Sequence, residues 1–190
     1  MNDYRNAIRR NASRIQELNA KIKETFRIKP HGEAHHAACA IFHAEYDGLA
    51  FPGGLSAAMP KLKAGDAETV EAAVQFLEVL PRFFRSGYIN EDILRHLKHS
   101  QLTVSQKDRL IPIIIATLEG GGRRQFHACA KLAGRLQDKR IQSRAMDLLP
   151  SENAETRLRA GVIIDIMRSW KPETEPIKSP SLRRAASRED

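Results

Sequence analysis

Disulfides cannot frame this chain, because its 190 residues hold only two cysteines, Cys39 and Cys129. Two reduced thiols in a cytoplasmic protein are the expectation. Long apolar runs are missing too. The longest uncharged one, Leu110 to Leu118, falls far short of the roughly 20 residues that span a bilayer, which excludes an integral membrane protein. The first residues carry Asp3, Arg5, Arg9 and Arg10 with no apolar stretch of about 7–15 residues after them, so no secretory signal is expected. Arg5, Arg9, Arg10 and Arg14 recur at helical spacing as in an organelle transit peptide, but Asp3 and Glu17 count against that reading. β-Branched or aromatic residues alternate with polar ones nowhere over a useful length, which removes the strand signal.

What is present is a basic, helix-patterned chain. Lys and Arg number 31 against 23 Asp and Glu, for a net charge of +8, and 42% of residues are hydrophobic. A chain of this length buries roughly two-thirds of its unfolded surface in one domain without a metal or disulfide staple. Between Gly and Pro punctuation the apolar residues recur at three and four positions, which predicts helices over 4–28, 33–47, 55–63, 67–84, 91–98, 106–119, 123–137, 139–149 and 154–170. Asp66, Asn90 and Ser105 are the expected helix starts, the last with Asp108 as a capping box. Residues 171–190, with Pro172, Pro176, Pro180 and few apolar side chains, are expected to be a disordered tail. The expected organisation is thus an amphipathic helix over 1–29, a helical domain over 30–170 and the tail.

Three stretches share one pattern, a helix closed by a Pro- or Gly-containing turn and followed by an alanine-lined helix. They run from Pro60 through Asp66 to Ala72, Ala73 and Leu77; from Leu110 through Gly120 to Ala128, Ala130 and Leu132; and from Leu148 through Asn153 to Arg157, Leu158 and Ala160. This resembles the HEAT-type α-solenoid repeat over residues 55–167, in which helix hairpins stack and small residues permit close approach. The resemblance implies an all-α, HEAT-like array of helical hairpins, with an irregular multi-helix bundle as the alternative. It further implies a non-catalytic scaffold or adaptor that binds another macromolecule. No cofactor and no enzymatic activity are expected.

Two surfaces suit such a role. Ile8, Asn11, Ile15, Leu18 and Ile22 alternate by three and four along the first helix, a heptad seam for a partner helix or a second copy. Protein–protein interaction through that seam and the repeat surface is the leading expectation. The other surface is basic. Residues 1–30 carry 8 basic and 3 acidic groups, 31–104 carry 6 and 9, and 105–170 carry 12 and 7. At 100° per residue Arg124, Lys131 and Arg135 lie within about 40° of one another, and Arg140, Arg144, Arg157 and Arg159 follow on later helices. Stacked in register they would form a band for phosphate backbones, the alternative function. The aromatics of this half are Phe126 and Trp170 alone, so duplex binding rather than stacking on unpaired bases is expected.

Catalytic and metal signals are weak. His35, Cys39 and His43 share one helix face, but the outer two lie about 12 Å apart along the axis, too far for one ion with bonds of about 2.0–2.3 Å. An i,i+4 pair would need completion by His127 or Cys129, and metal is not expected. Gly120–Gly122 with Arg123 and Arg124 lack the preceding strand and the Lys-Ser/Thr pair of a phosphate loop, so a helix–helix turn is expected.

Overall fold

The computed structural model describes residues 2–120 and 124–171. Among these, every regular element is a helix: α1 (Arg5–Ile28), α2 (Glu33–Ala50), α3 (Leu55–Lys63), α4 (Ala67–Val79), α5 (Ser86–Leu97), α6 (Val104–Leu118), α7 (Phe126–Leu136), α8 (Lys139–Leu148) and α9 (Ala154–Ser169). The all-α expectation holds, and none of these helices is long and apolar enough to cross a membrane. The expected disordered tail lies, from residue 172, outside the described residues.

Local chemistry sets most boundaries. The Asp66 carboxylate accepts the Thr69 N–H at 2.9 Å and starts α4, and Asn153 Oδ1 does the same for α9 through Glu155 and Thr156. Several boundaries differ from expectation, among them those at the end of α4 and the starts of α5 and α6. The helix predicted over 67–84 stops at Val79, because Pro81 has no N–H to donate and disfavours helical geometry in the residue before it. Leu80 accordingly sits in the left-handed region at φ 47° and closes α4. Helix α5 starts at Ser86, so Asn90 lies inside it, buried, rather than at its cap. The capping box of α6 is Thr103 with Gln106, two residues before the expected Ser105.

Packing arranges the helices in two rows. Helices α4, α6 and α8 touch in succession, as do α5, α7 and α9, and each neighbouring pair α4–α5, α6–α7 and α8–α9 is also in contact. At the other end α1 lies against α2 and α4, and α3 touches α2, α4 and α5. One apolar core runs between the rows, with Phe76, Leu77, Ile93, Leu97, Leu110, Ile114, Leu118 and Leu132 almost wholly removed from water. Each such side chain contributes about 1.5–3 kcal/mol by leaving water.

Ion pairs cross-link the first row. Arg5 on α1 meets Glu78 on α4 at 2.8 Å, and Arg109 on α6 reaches both Glu78 at 2.6 Å and Glu71 at 2.7 Å. Arg140 on α8 pairs with Asp108 on α6 at 2.6 Å, and Arg144 with Glu119 at the same distance. Glu71 is only 2% exposed. Burial pushes its carboxyl up, but donors from Gln75, Gln106 and Arg109 and the guanidinium charge outweigh that and hold it below the usual carboxylate range.

Candidate polyanion-binding face

The second row carries the basic surface. On α7 the apolar and small residues Phe126, Ala128, Cys129, Ala130, Leu132 and Ala133 are buried in the core, which leaves His127 and Lys131 as its exposed side chains. Exposed Arg124 precedes them and half-buried Arg135 follows. The strip is therefore cationic because amphipathic packing consumed everything else on the helix.

Helix α5 lies alongside and adds to it. Arg95, Lys98 and His99 face Lys131 and Ala128 across a cleft of about 250 Å3 between the two helices. Arg95 is shared with Glu91 and Asp92 of its own helix, at 2.5 and 3.3 Å. Lys131 and Arg124 have no carboxylate within ion-pair distance among the described residues, so their charge is open to an outside anion. Arg124 instead lays its guanidinium on the Tyr88 ring, 3.9 Å from the centroid, a cation–π contact between hairpins.

The expected seven-residue basic band is divided by the fold. Arg124, Lys131 and Arg135 share the α7 face, although Arg135 also donates to the carbonyls of Leu97 and Lys98 at the end of α5. Arg140 and Arg144 lie in the other row, where they bind Asp108, Asp138 and Glu119. Arg157 donates to the Ser151 and Glu152 carbonyls at 2.6 and 3.1 Å and closes the loop before its helix. Arg159 is the clearest correction. It is 4% exposed, donates to the Thr117 carbonyl at 2.9 Å, pairs with Glu155 at 2.8 Å and packs 5.3 Å from the Phe126 ring centroid. A buried guanidinium with those partners is a strut between α9, α6 and α7, not a surface ligand group.

The first-helix seam is also taken within the chain. Ile8, Ile15 and Leu18 are buried, with Ile22 and Asn11 half-buried, and α2 and α4 lie against this helix. The Tyr4 N–H donates to Gln75 at 2.6 Å, and Arg14 pairs with Glu45 at 2.8 Å. An intact heptad seam thus serves packing against α2 and α4 within the chain.

At the α1–α2 turn the rings of His31, His35 and His36 gather with centroids 6.1–6.3 Å apart. His35 places one ring nitrogen 3.6 Å from Cys39 Sγ and the other 3.4 Å from Thr25 Oγ1. His43 is elsewhere, edge-on to Phe42. Cys129 is buried against Thr117 of α6, 3.6 Å away, and completes nothing. Among the described residues no three His, Cys, Asp or Glu side chains converge as a metal site. The glycine turn falls largely on residues 121–123, outside the described residues.

Sequence reasoning missed Tyr88, Arg95, Lys98 and His99 as members of the basic face. They lie in the stretch whose net charge is acidic, on α5 and the turn that follows it, and only the seven- and three-residue spacing of Tyr88, Arg95 and Lys98 signalled a common side. Comparison with protein-family models, with curated proteins and with solved structures finds no match. The class that the geometry defines is an all-α protein with two rows of packed helices.

Proposed function

We propose that this protein is a HEAT-like array of helical hairpins that binds the phosphate backbone of nucleic acid along the α5–α7 face. The observation that carries this reading is the cationic strip along α7 and the residue just before it, where Lys131 and Arg124 stand exposed without acidic partners among the described residues, beside the Arg95–Lys98–His99 side of the cleft. By contrast Arg109, Arg140, Arg144 and Arg159 are held by the protein's own carboxylates, and Arg157 by its own carbonyls. A protein-interaction role through the first helix loses its support once α2 and α4 fill the seam.

Charge complementarity of this kind releases counterions, so affinity depends steeply on salt. With about four phosphates neutralised, log affinity is expected to fall with log salt with a slope of about −3 to −4. Lys131→Glu should weaken binding several-fold and lower the slope by about one. Fluorescence anisotropy with labelled oligonucleotides across a salt series checks both. No binding at 20–50 mM salt, roughly the most permissive range, would end the proposal.

A further inference from the structure

Beside the α7 cations stand two aromatic rings that the core does not take up. Tyr88 on α5 is 49% exposed and Phe84, just before that helix, is 51% exposed. Both are held in place. Tyr46 Oη donates to the Phe84 carbonyl at 2.9 Å, and the Phe84 ring makes T-shaped contacts with Phe42 and Tyr46 at 5.9 and 6.5 Å. Arg85 lies 6.0 Å from the Phe84 centroid and 5.7 Å from that of Tyr88, and Arg124 covers Tyr88 at 3.9 Å. The result is a patch of rings and guanidinium planes that opens onto the α5–α7 cation strip.

A duplex has no use for such a patch, because its bases are already stacked on one another and it offers phosphates to a protein surface. Unpaired bases have free π-faces, and they stack on Tyr, Phe and the flat guanidinium of Arg with little regard to sequence. We propose that the face takes single-stranded nucleic acid, with bases stacked on the Phe84 ring and on the Tyr88–Arg124 pair and the backbone phosphates drawn along Lys131. This rests on the reading of the α5–α7 face as a polyanion surface. It replaces the duplex expected from the sequence, where Phe126 and Trp170 were the only rings in view. The structure buries Phe126 and supplies Tyr88 and Phe84 from the preceding hairpin.

The test uses the full chain and a labelled 20-nucleotide single strand, as DNA and as RNA, against the matching 20-base-pair duplex, in anisotropy titrations at low salt. The expected result is tighter binding of a single strand than of duplex. Tyr88→Ala should then lose at least about fivefold on the single strand and weaken duplex binding by a smaller factor, through the Arg124 it supports, since stacking on one ring is worth about that much or more. Tyr88→Phe, which keeps the ring, should restore the affinity. Far-UV circular dichroism establishes that the variants fold, and Tyr88 is exposed enough for its removal to leave the core intact. Duplex bound as tightly as the single strand, or Tyr88→Ala without effect while Lys131→Glu still weakens binding, overturns the single-strand assignment and leaves the polyanion surface standing. Neither nucleic acid bound at low salt overturns both.

Discussion

Two cysteines of the same chain differ in chemistry because of what surrounds them. Cys129 is 1% exposed, and burial pushes its thiol up to about 11, a rise that the weak contact with Thr117 only moderates. Its thiolate fraction at pH 8 is then about a hundredfold smaller than that of an ordinary thiol. Cys39 is half-exposed beside His35. With excess disulfide reagent at pH 8, one thiol per chain should react within minutes and the second only after denaturant is added; two equal rates would contradict the burial of Cys129. Arginine shows the same dependence on place. Arg159 and Arg124 are alike in sequence as members of a basic stretch, yet one is a buried strut and the other lies exposed on a tyrosine ring.

At the scale of elements, α7 and α9 pack closely enough to need a residue without a side chain. A Cβ on Gly134 would lie 2.7 Å from Ile166 Cγ2 and 2.8 Å from Trp170 Cε3, neither of them a flexible chain end. In an exposed helix, glycine to alanine gains up to about 1 kcal/mol. Here the overlap costs about 1–3 kcal/mol and outweighs the gain. Gly161 in α9 is the control, because its Cβ would meet nothing within 4 Å. Gly134→Ala is therefore expected to lower the thermal midpoint by several degrees, at about 2–4 °C per kcal/mol for a chain of this size. Gly161→Ala should raise it slightly. Thermal unfolding of the two variants side by side decides the matter, and equal shifts of the same sign would refute the close approach.

Over the whole molecule, the ion pairs that join α1, α4, α6 and α8 make stability depend on acid. Burial pushes the Glu78 carboxyl up, but the Arg109 and Arg5 guanidiniums beside it hold it below its ordinary value of 4.5, as the donors around Glu71 do for that group. Carboxyls lowered in the folded state contribute stability in full above their unfolded value. They lose it as the pH falls through the lower folded values. Urea midpoints should be flat from about pH 6 to 8 and decline below about pH 4.5, where protonation also strips Arg109 of its partners. Glu71→Gln should lower the midpoint at pH 7 and flatten the decline; a decline as steep as in the parent would place the acid sensitivity elsewhere.

The helices themselves were legible in the sequence, since their determinants are local. The side-chain caps Asp66 and Asn153 and the three-and-four recurrence of apolar residues each act within a few neighbours, and α3 runs over the predicted span, whereas the span 67–84 overran the stop that Pro81 imposes on α4. The start of α5 was not legible, because it depends on Arg85 adopting the left-handed region at φ 66°, which no local rule favours for arginine. Periodicity also marks which side of a helix is apolar without saying which neighbour covers it. The first-helix seam was therefore visible, while its burial under α2 and α4 was not. The meeting of Tyr88 with Arg124 links two hairpins 36 residues apart, and the charges of α8 turned to a different row from those of α7. Local propensity, set by backbone sterics and side-chain caps, determined that the regular elements of the described residues are helices, and composition a basic surplus; only the stacking of the helices decided which cations stay in solvent and which rings stand beside them, because that depends on surfaces brought together from distant parts of the chain.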